Sequence, residues 1–346
     1  MQAEITLLVI AALLLSAAMT GMVRRFALAR GVVDVPNQRS SHTIPTPRGG
    51  GAAIVVVTTA ALLVLAFRGS VPWNLVAALG GGGLVVALVG FLDDRSALSA
   101  RSRLVTHVAA AIWAVWWLGS PLALRVGPGL IELGYLGAVV AVVAITWSLN
   151  LFNFMDGIDG IAGSQVVFVM AGAVALSALA CAPPALVTTE SVLAAASIGF
   201  LLWNWPPARI FMGDVGSGYL GYAIGALAVA AARSNPNALW AWFTLNGVFV
   251  VDSTVTLLRR LIRGERVYEA HRSHAYQWQA RRFASHSFVT VAVWLINLLW
   301  LFPCACLATI LPRYSCWIAA GALAPLVLVA PFLGAGRREG SATAVR

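Results

Sequence analysis

Apolar runs long enough to cross about 30 Å of hydrocarbon, at about 1.5 Å of rise per helical residue, recur along the whole chain. Eleven can be marked, near 5–23, 51–67, 75–92, 104–119, 135–152, 161–180, 189–205, 216–232, 238–258, 287–308 and 315–335. The pattern predicts an all-α, polytopic integral membrane protein, a single domain over residues 1–346. The connections on one side of the membrane are short and bland. Those on the other, near 24–50, 93–103, 153–160, 206–215 and 259–286, hold nearly all the polar chemistry.

Composition excludes a soluble domain. Hydrophobic residues make up 60% of the 346, charged residues only 10%, and the mean hydropathy is +0.85, whereas a soluble domain is roughly a quarter charged. A net charge of +10 would suggest nucleic acid in a soluble protein, but here the positive-inside bias accounts for it and no nucleic-acid partner is expected. The chain has no lysine, so all 23 basic side chains are arginine. With the N-terminus outside, 19 arginines fall on the cytoplasmic side and only Arg68, Arg125, Arg233 and Arg313 outside. That orientation puts the C-terminus in the cytoplasm. The first run has no basic segment before it and no small-residue cleavage site after it, so it reads as a retained helix. A flexible tail is expected from about residue 336. Among Cys181, Cys304, Cys306 and Cys316 apolar packing is the expectation, with a disulfide conceivable near the outer ends of the last two helices.

All seven aspartates and all five histidines map to the cytoplasmic loops or the inner halves of helices. Chemistry is therefore expected at that face. The third run ends in Asp93-Asp94-Arg95; consecutive helical residues point about 100° apart, which suits two roles better than joint chelation. In the fifth, Asn150, Asn153, Asp156 and Asp159 recur every third residue and would line one polar strip if the helix persists. Carboxamides suit a uracil edge or sugar hydroxyls, and carboxylates suit magnesium or ribose. Gly213-Asp214-Val215-Gly216-Ser217 combines a tight turn with a helix N-terminus, which favours anions. Arg39 and Arg48, in the loop Pro36 to Gly51, can each pair with phosphate. The last loop holds His271, Arg272 and His274 among arginines able to bind a diphosphate, with Tyr276 and Trp278 as stacking faces. Asp252 is a weaker candidate. The glycine run Gly80 to Gly83 lies at membrane depth and reads as a close helix approach.

Taken in order, Pro47-Arg48-Gly49-Gly50-Gly51, Asp93-Asp94, Asn150 to Gly160, Gly213 to Ser217 and the late histidine loop resemble the polyprenyl-phosphate N-acetylhexosamine-1-phosphate transferase family, glycosyltransferase family 4. The resemblance covers about residues 24 to 286. Arg39-Ser40-Ser41-His42 and the short late loop look more like its O-antigen-initiating branch than its phospho-N-acetylmuramoyl-pentapeptide branch, since three consecutive histidines are lacking. The resemblance implies transfer of an N-acetylhexosamine-1-phosphate from a UDP-sugar to undecaprenyl phosphate at the cytoplasmic face of a bacterial inner membrane, with UMP released. It implies Mg2+ as cofactor (Mn2+ a possible substitute) with Asp214, Asp93 and Asp156 at the metal. It further implies Asp93, Asp94 and Asp214 as catalytic, Asn153, Asp156 and Asp159 at nucleotide and metal, and a possible homodimer. The family picture often makes Asp94 a general base. A phosphate monoester with a second pKa of about 6 needs little deprotonation, so positioning is the expected role instead.

Two other classes bear on the same features. A secondary transporter would spread polar groups through the membrane midplane, and here they gather at one face. A scaffold holding anionic lipid through its arginines leaves the aspartates unexplained.

Overall fold

The computed structural model describes residues 2–36, 44–119, 123–266 and 271–338. Arg39 and the rest of its Arg-Ser-Ser-His segment lie outside these. Every one of the eleven apolar runs is helical: α1 Gln2–Ala29, α2 Ala52–Phe67, α3 Trp73–Asp93, α4 Ala100–Leu118, α5 Gly134–Met155, α6 Ile161–Ala180, α7 Pro184–Asn204, α8 Asp214–Ser234, α9 Ala238–Leu245 with α10 Gly247–Ile262, α12 His286–Ile310 and α13 Ser315–Leu333. A short α11, Ala275–Phe283, precedes α12. The hairpin β1–β2 pairs Val33–Asp34 with Thr46–Pro47, and β3–β4 pairs Ala123–Val126 with Gly129–Glu132.

Eight of these helices are long and apolar enough to cross a membrane, or nine if the bent pair α9–α10 is one span. Of the other two runs, α2 has 16 residues, and α4 opens with Arg101 and Arg103. The run 238–258 bends by 74° between α9 and α10. The break falls at Asn246, whose side-chain amide turns back to the Trp242 carbonyl at 2.9 Å. Gly247 then lets α10 approach so closely that a β-carbon there would lie 2.6 Å from Leu323.

Helix α8 is the axis of the bundle. Of its most apolar window 94% is buried, against 22% for α1. Packing in lipid is driven by close van der Waals fit, and small residues make that fit possible. A β-carbon on Gly51 would sit 2.4 Å from the Gly216 Cα, and one on Gly90 would sit 2.4 Å from the Asp214 carbonyl oxygen. The glycines of the Arg48 and Asp214 motifs thus bring the first turns of α2 and α8 and the last turn of α3 together. Gly81, Gly82 and Gly83 likewise face Trp113, Tyr222 and Tyr219, as the close-approach reading of that run requires.

The connections separate into two ends. At one, Arg68 pairs with Glu4 at 3.5 Å, Trp240 Nε1 donates to the Arg125 carbonyl at 2.7 Å, and the Gly127 N–H reaches Cys316 Sγ at 3.3 Å. All four cysteines are free thiols. At the other end, the segments before α2 and α8 pair through backbone bonds, Phe211 N–H to the Pro47 carbonyl at 2.8 Å and Gly50 and Gly51 N–H to the Phe211 and Met212 carbonyls at 2.9 Å. That pairing places Arg48 beside Asp214. Of the tail expected from about residue 336, Gly336 is buried and Gly336, Arg337 and Arg338 contact the bundle; residues 339–346 lie outside the described residues.

Candidate active site

Asp93 and Asp94 end α3 and point apart, as adjacent helical positions must. Asp94 Oδ1 and Oδ2 accept the backbone N–H groups of Asp214 at 3.0 Å and Val215 at 3.3 Å, so the carboxylate closes the N-terminus of α8. Only a residue without a β-carbon leaves room for this. Gly213 has φ of +76°, and a β-carbon there would fall 2.5 Å from Asp94 Oδ2. Arg48 Nε lies 2.8 Å from Asp94 Oδ1, and its Nη2 lies 3.1 Å from Asp214 Oδ1. Burial alone would weaken the Arg48 charge, but Asp94 and then Asp214 outweigh it and raise its pKa. Burial likewise pushes the Asp94 carboxyl up from the usual range, while Arg48 and the two N–H donors oppose that.

Asp93 faces the other way. Its Oδ1 accepts the Leu98 N–H at 2.6 Å and its Oδ2 pairs with Arg103 at 2.8 Å, while the same guanidinium reaches to 3.8 Å from Asp214 Oδ2. The Asp93 and Asp214 carboxyl groups are close enough to share a hydrogen bond. Two carboxylates so placed repel unless a proton or cation stands between them. Arg103 was hidden in the sequence among arginines that merely set topology.

Beside this cluster opens a cavity of about 150 Å³. Asp93, Arg103, His107, Asn150, Asn153 and Asp214 supply its polar wall, and Val86, Val89, Leu104 and Leu149 an apolar one. Asn153 Nδ2 donates to Ser217 Oγ at 3.2 Å, while Asn150 Nδ2 turns to the Thr146 carbonyl at 2.7 Å. The continuous strip from Asn150 to Asp159 is not formed. Helix α5 ends at Met155, Asp156 is its C-cap, and Gly160 at φ +73° starts α6 on a new path. Asp156 stays within the field of Asp214; burial first, and that charge second, hold its carboxyl well above the usual range.

Asp159 is carried into a second, wider cavity of about 630 Å³, with Thr46, Phe211, Arg281 and His286. Its Oδ2 accepts the Ala208 N–H at 3.0 Å and its Oδ1 lies 3.2 Å from His286 Nδ1. Sequence reasoning singled out neither His286, whose partner Asp159 lies 127 residues away, nor Arg103, whose charge the topology already explained.

The histidine loop forms a separate cluster. Asp252 is a buried cap for α11: its oxygens accept Ala275 N–H at 2.8 Å and Tyr276 N–H at 3.0 Å, and Thr256 Oγ1 donates to it at 3.1 Å. His274 Nδ1 is 3.5 Å away. The His271 and His274 rings stack at 5.0 Å, and both approach Phe154, at 6.5 and 6.2 Å. Tyr276 Oη donates to the Phe154 carbonyl at 2.9 Å. Burial first, then the neighbouring His274 and Arg260 charges, push the His271 pKa down to about 3. Neither histidine is among the residues lining these two cavities; they back Phe154, which does line the smaller one. The Arg272 carbonyl accepts from Arg281 Nη2 at 2.9 Å. Trp278, expected as a stacking face, already has the Arg281 and Arg337 guanidinium groups over its ring at 4.8 and 5.1 Å.

A divalent cation fits part of this arrangement. Among the described residues no three carboxylate, histidine or cysteine side chains converge to cage a metal, so Asp156 does not join Asp93 and Asp214 in a three-carboxylate cluster. The Asp93–Asp214 pair alone supplies one or two carboxylates, the number magnesium takes when it keeps waters and phosphate oxygens as its other ligands.

Residues 75–232 match the family described as Glycosyl transferase family 4. Over 305 residues the chain is 27% identical to a probable undecaprenyl-phosphate N-acetylglucosaminyl 1-phosphate transferase of Bacillus subtilis, covering 87% of this chain and 83% of that one. It is 30% identical over 254 residues to a decaprenyl-phosphate N-acetylglucosaminephosphotransferase of Mycolicibacterium smegmatis, with 66% and 60% covered. A phospho-N-acetylmuramoyl-pentapeptide-transferase of Synechococcus elongatus is 32% identical over 232 residues, with 62% and 60% covered.

Proposed function

Because this chain belongs to glycosyl transferase family 4, we propose that it transfers an N-acetylhexosamine-1-phosphate from a UDP-sugar to undecaprenyl phosphate at the cytoplasmic face of a bacterial inner membrane. The product, a lipid-diphosphate-sugar, would start an envelope polysaccharide of the O-antigen kind. The observation that carries the reading is Arg48, Asp94, Asp93, Arg103 and Asp214 joined in one ion-pair network beside a mostly apolar cavity with one polar wall. Such a cavity suits a phosphate on an apolar tail.

In phosphoryl transfer the protein has little covalent work and mainly positions groups and neutralises charge. The acceptor phosphate attacks the β-phosphorus of the UDP-sugar in line, and UMP leaves with the displaced bond's electrons. Arg48 and Arg103 enter from opposite sides of Asp214 and supply forks that match phosphate oxygens. Asp94 fixes both Arg48 and the first turn of α8, whose Asp214 and Val215 N–H groups it takes up itself. Asn153, Asp156 and Asp159 would hold the nucleotide and sugar, with Asp159 oriented by His286 and the Ala208 N–H. Mg2+ at Asp93 and Asp214, with Asp156 near, would offset the charge of the diphosphate. His271 and His274 act from behind Phe154, and Arg272 keeps its proposed diphosphate role from the sequence. Arg39 keeps its proposed phosphate role from the sequence.

The test is UMP release by purified protein in detergent with polyprenyl phosphate, magnesium and a panel of UDP-N-acetyl sugars, against Asp214→Ala. Release that needs the lipid, magnesium and Asp214 is the expected outcome and names the sugar. No release with any donor would discard the reaction.

A further inference from the structure

We infer that the residues following α13, Leu333 to Arg337, are a strap that sets the position of the histidine loop and thereby acts on the reaction without touching substrate. The kinetic part of this inference rests on the reaction proposed above.

The sequence Leu333-Gly334-Ala335-Gly336-Arg337 places glycines on either side of an alanine, and both adopt positive φ, +106° at Gly334 and +68° at Gly336. The chain therefore turns back after the helix. Local capping accounts for part of it: Gly334 and Ala335 N–H groups return to the Pro331 and Ala330 carbonyls at 3.2 and 2.9 Å. The remaining bonds run outward, to three different elements. The Gly336 N–H donates to the Ser273 carbonyl at 2.7 Å, and Ser273 lies between His271 and His274. The Ala335 carbonyl accepts from Arg259 Nη1 on α10. The Leu333 carbonyl accepts from Gln279 Nε2 on α11 at 2.6 Å. Arg337 covers the Trp278 ring, and a β-carbon on Gly334 would lie 2.7 Å from Trp278 Cγ, so that residue has no room for a side chain. Ala335 is 0% exposed.

A leftover terminus would be exposed and bonded to nothing distant. This one is buried against the loop, and its effect has a route to the site. Of the histidines flanking Ser273, His274 stacks on Phe154 and His271 packs beside it, the Phe154 carbonyl takes the Tyr276 hydroxyl, and Phe154 lines the cavity that contains Asp93 and Asp214.

The experiment compares the full chain with one ended after Leu333 and one ended after Arg338, together with Arg337→Ala and Gly336→Ala. Amide hydrogen exchange in detergent and the kcat and KM of UMP release are both read. Ending after Leu333 should speed exchange selectively over residues 271–280 and raise KM for the lipid phosphate, whose cavity Phe154 lines, by about tenfold or more, on the scale of a misplaced positioning group. Ending after Arg338 should match the full chain. The point variants should reproduce the selective exchange on a smaller scale, which keeps the test open should the shorter chain fail to fold. Unchanged exchange in the loop overturns the strap. So does faster exchange spread evenly over the protein with a lowered thermal midpoint, which is general destabilisation, and so does selective exchange with unaltered kinetics. A full chain that releases no UMP counts against the reaction instead, and the exchange comparison then still decides whether the strap holds the loop.

Discussion

Asp94 and Asp252 are built the same way and serve different ends. Each is a carboxylate, Asp94 from the end of α3 and Asp252 from within α10, that accepts two consecutive backbone N–H groups at the start of another helix: Asp214 and Val215 for Asp94, Ala275 and Tyr276 for Asp252. Around Asp252 the remaining neighbours are Thr256 and His274, and the residue is 5% exposed. Around Asp94 the next neighbour is Arg48, which continues to Asp214 and so to the cavity. The cap is a structural device in both places. What turns one of them into part of a reaction centre is the cation that shares its oxygens and the open space beyond.

The sharpest way to break the comparison is to neutralise each carboxylate without changing its shape. Asp94→Asn leaves one oxygen and presents an amide donor to a backbone N–H and to Arg48. Arg48 loses its anchor and the first turn of α8 shifts, so kcat/KM for UMP release is expected to fall by roughly a hundredfold or more. Near-normal rates at saturating magnesium would show that neither the cap nor the Arg48 anchor matters to the reaction. Asp252→Asn makes the same local error in a sealed site. There the expected loss is stability, about 1–3 kcal/mol for a buried donor left facing another donor, read as a lower thermal midpoint in detergent. A variant as stable as the parent but as inactive as Asp94→Asn would place Asp252 in the chemistry and remove the distinction.

A smaller effect is expected where His286 orients Asp159. His286→Ala leaves Asp159 bound to the Ala208 N–H but removes the imidazole that lies 3.2 Å from its other oxygen and accepts its backbone N–H at 3.4 Å, and KM for the UDP-sugar should rise about tenfold, about the value of one hydrogen bond. KM for the lipid phosphate should not move. Equal rises in both would mean that the two cavities described above are not separate binding sites.

Much of this was legible in the chain, for reasons particular residues make plain. A bilayer dictates length, so the eleven apolar runs stand out and each is helical. The bend within 238–258 does not, because a single Asn246-Gly247 pair leaves the run apolar enough to read as one span, and the close approach of Leu301 and Leu323 to Gly247 is a long-range contact. The aspartate motifs were visible as costly polar groups at the membrane edge. Their division of labour was not: Asn150 to Asp159 reads as one strip, but α5 ends at Met155 and Asp159 reaches a different cavity. Asp252 looked weak because its partners are backbone N–H groups 23 and 24 residues on, and no side-chain pattern announces a backbone donor.

The finest test concerns protons on the histidine loop. His271 titrates at about 3 in the folded protein and near 6.5 when unfolded. Between those values the unfolded chain binds the extra proton, so stability must rise with pH across that window and be fully present above about 6.5. A group whose folded pKa is lowered therefore loses stability as the solution is acidified toward about 3. His271→Gln removes the titrating ring, and the thermal midpoint should decline less steeply between pH 7 and pH 4 than it does in the parent. Above pH 7 the two slopes should coincide. For the reaction the sign leads elsewhere: a neutral His271 carries no charge to offer a diphosphate at any pH where the protein works, so the variant should keep the shape of the pH–rate profile and lose activity only as far as Phe154 moves. A profile whose acid limb shifts in His271→Gln would mean that the ring is protonated in the working enzyme. The loop would then bind phosphate directly, and the contrast between an open, charged cluster and a closed, supporting one would no longer stand.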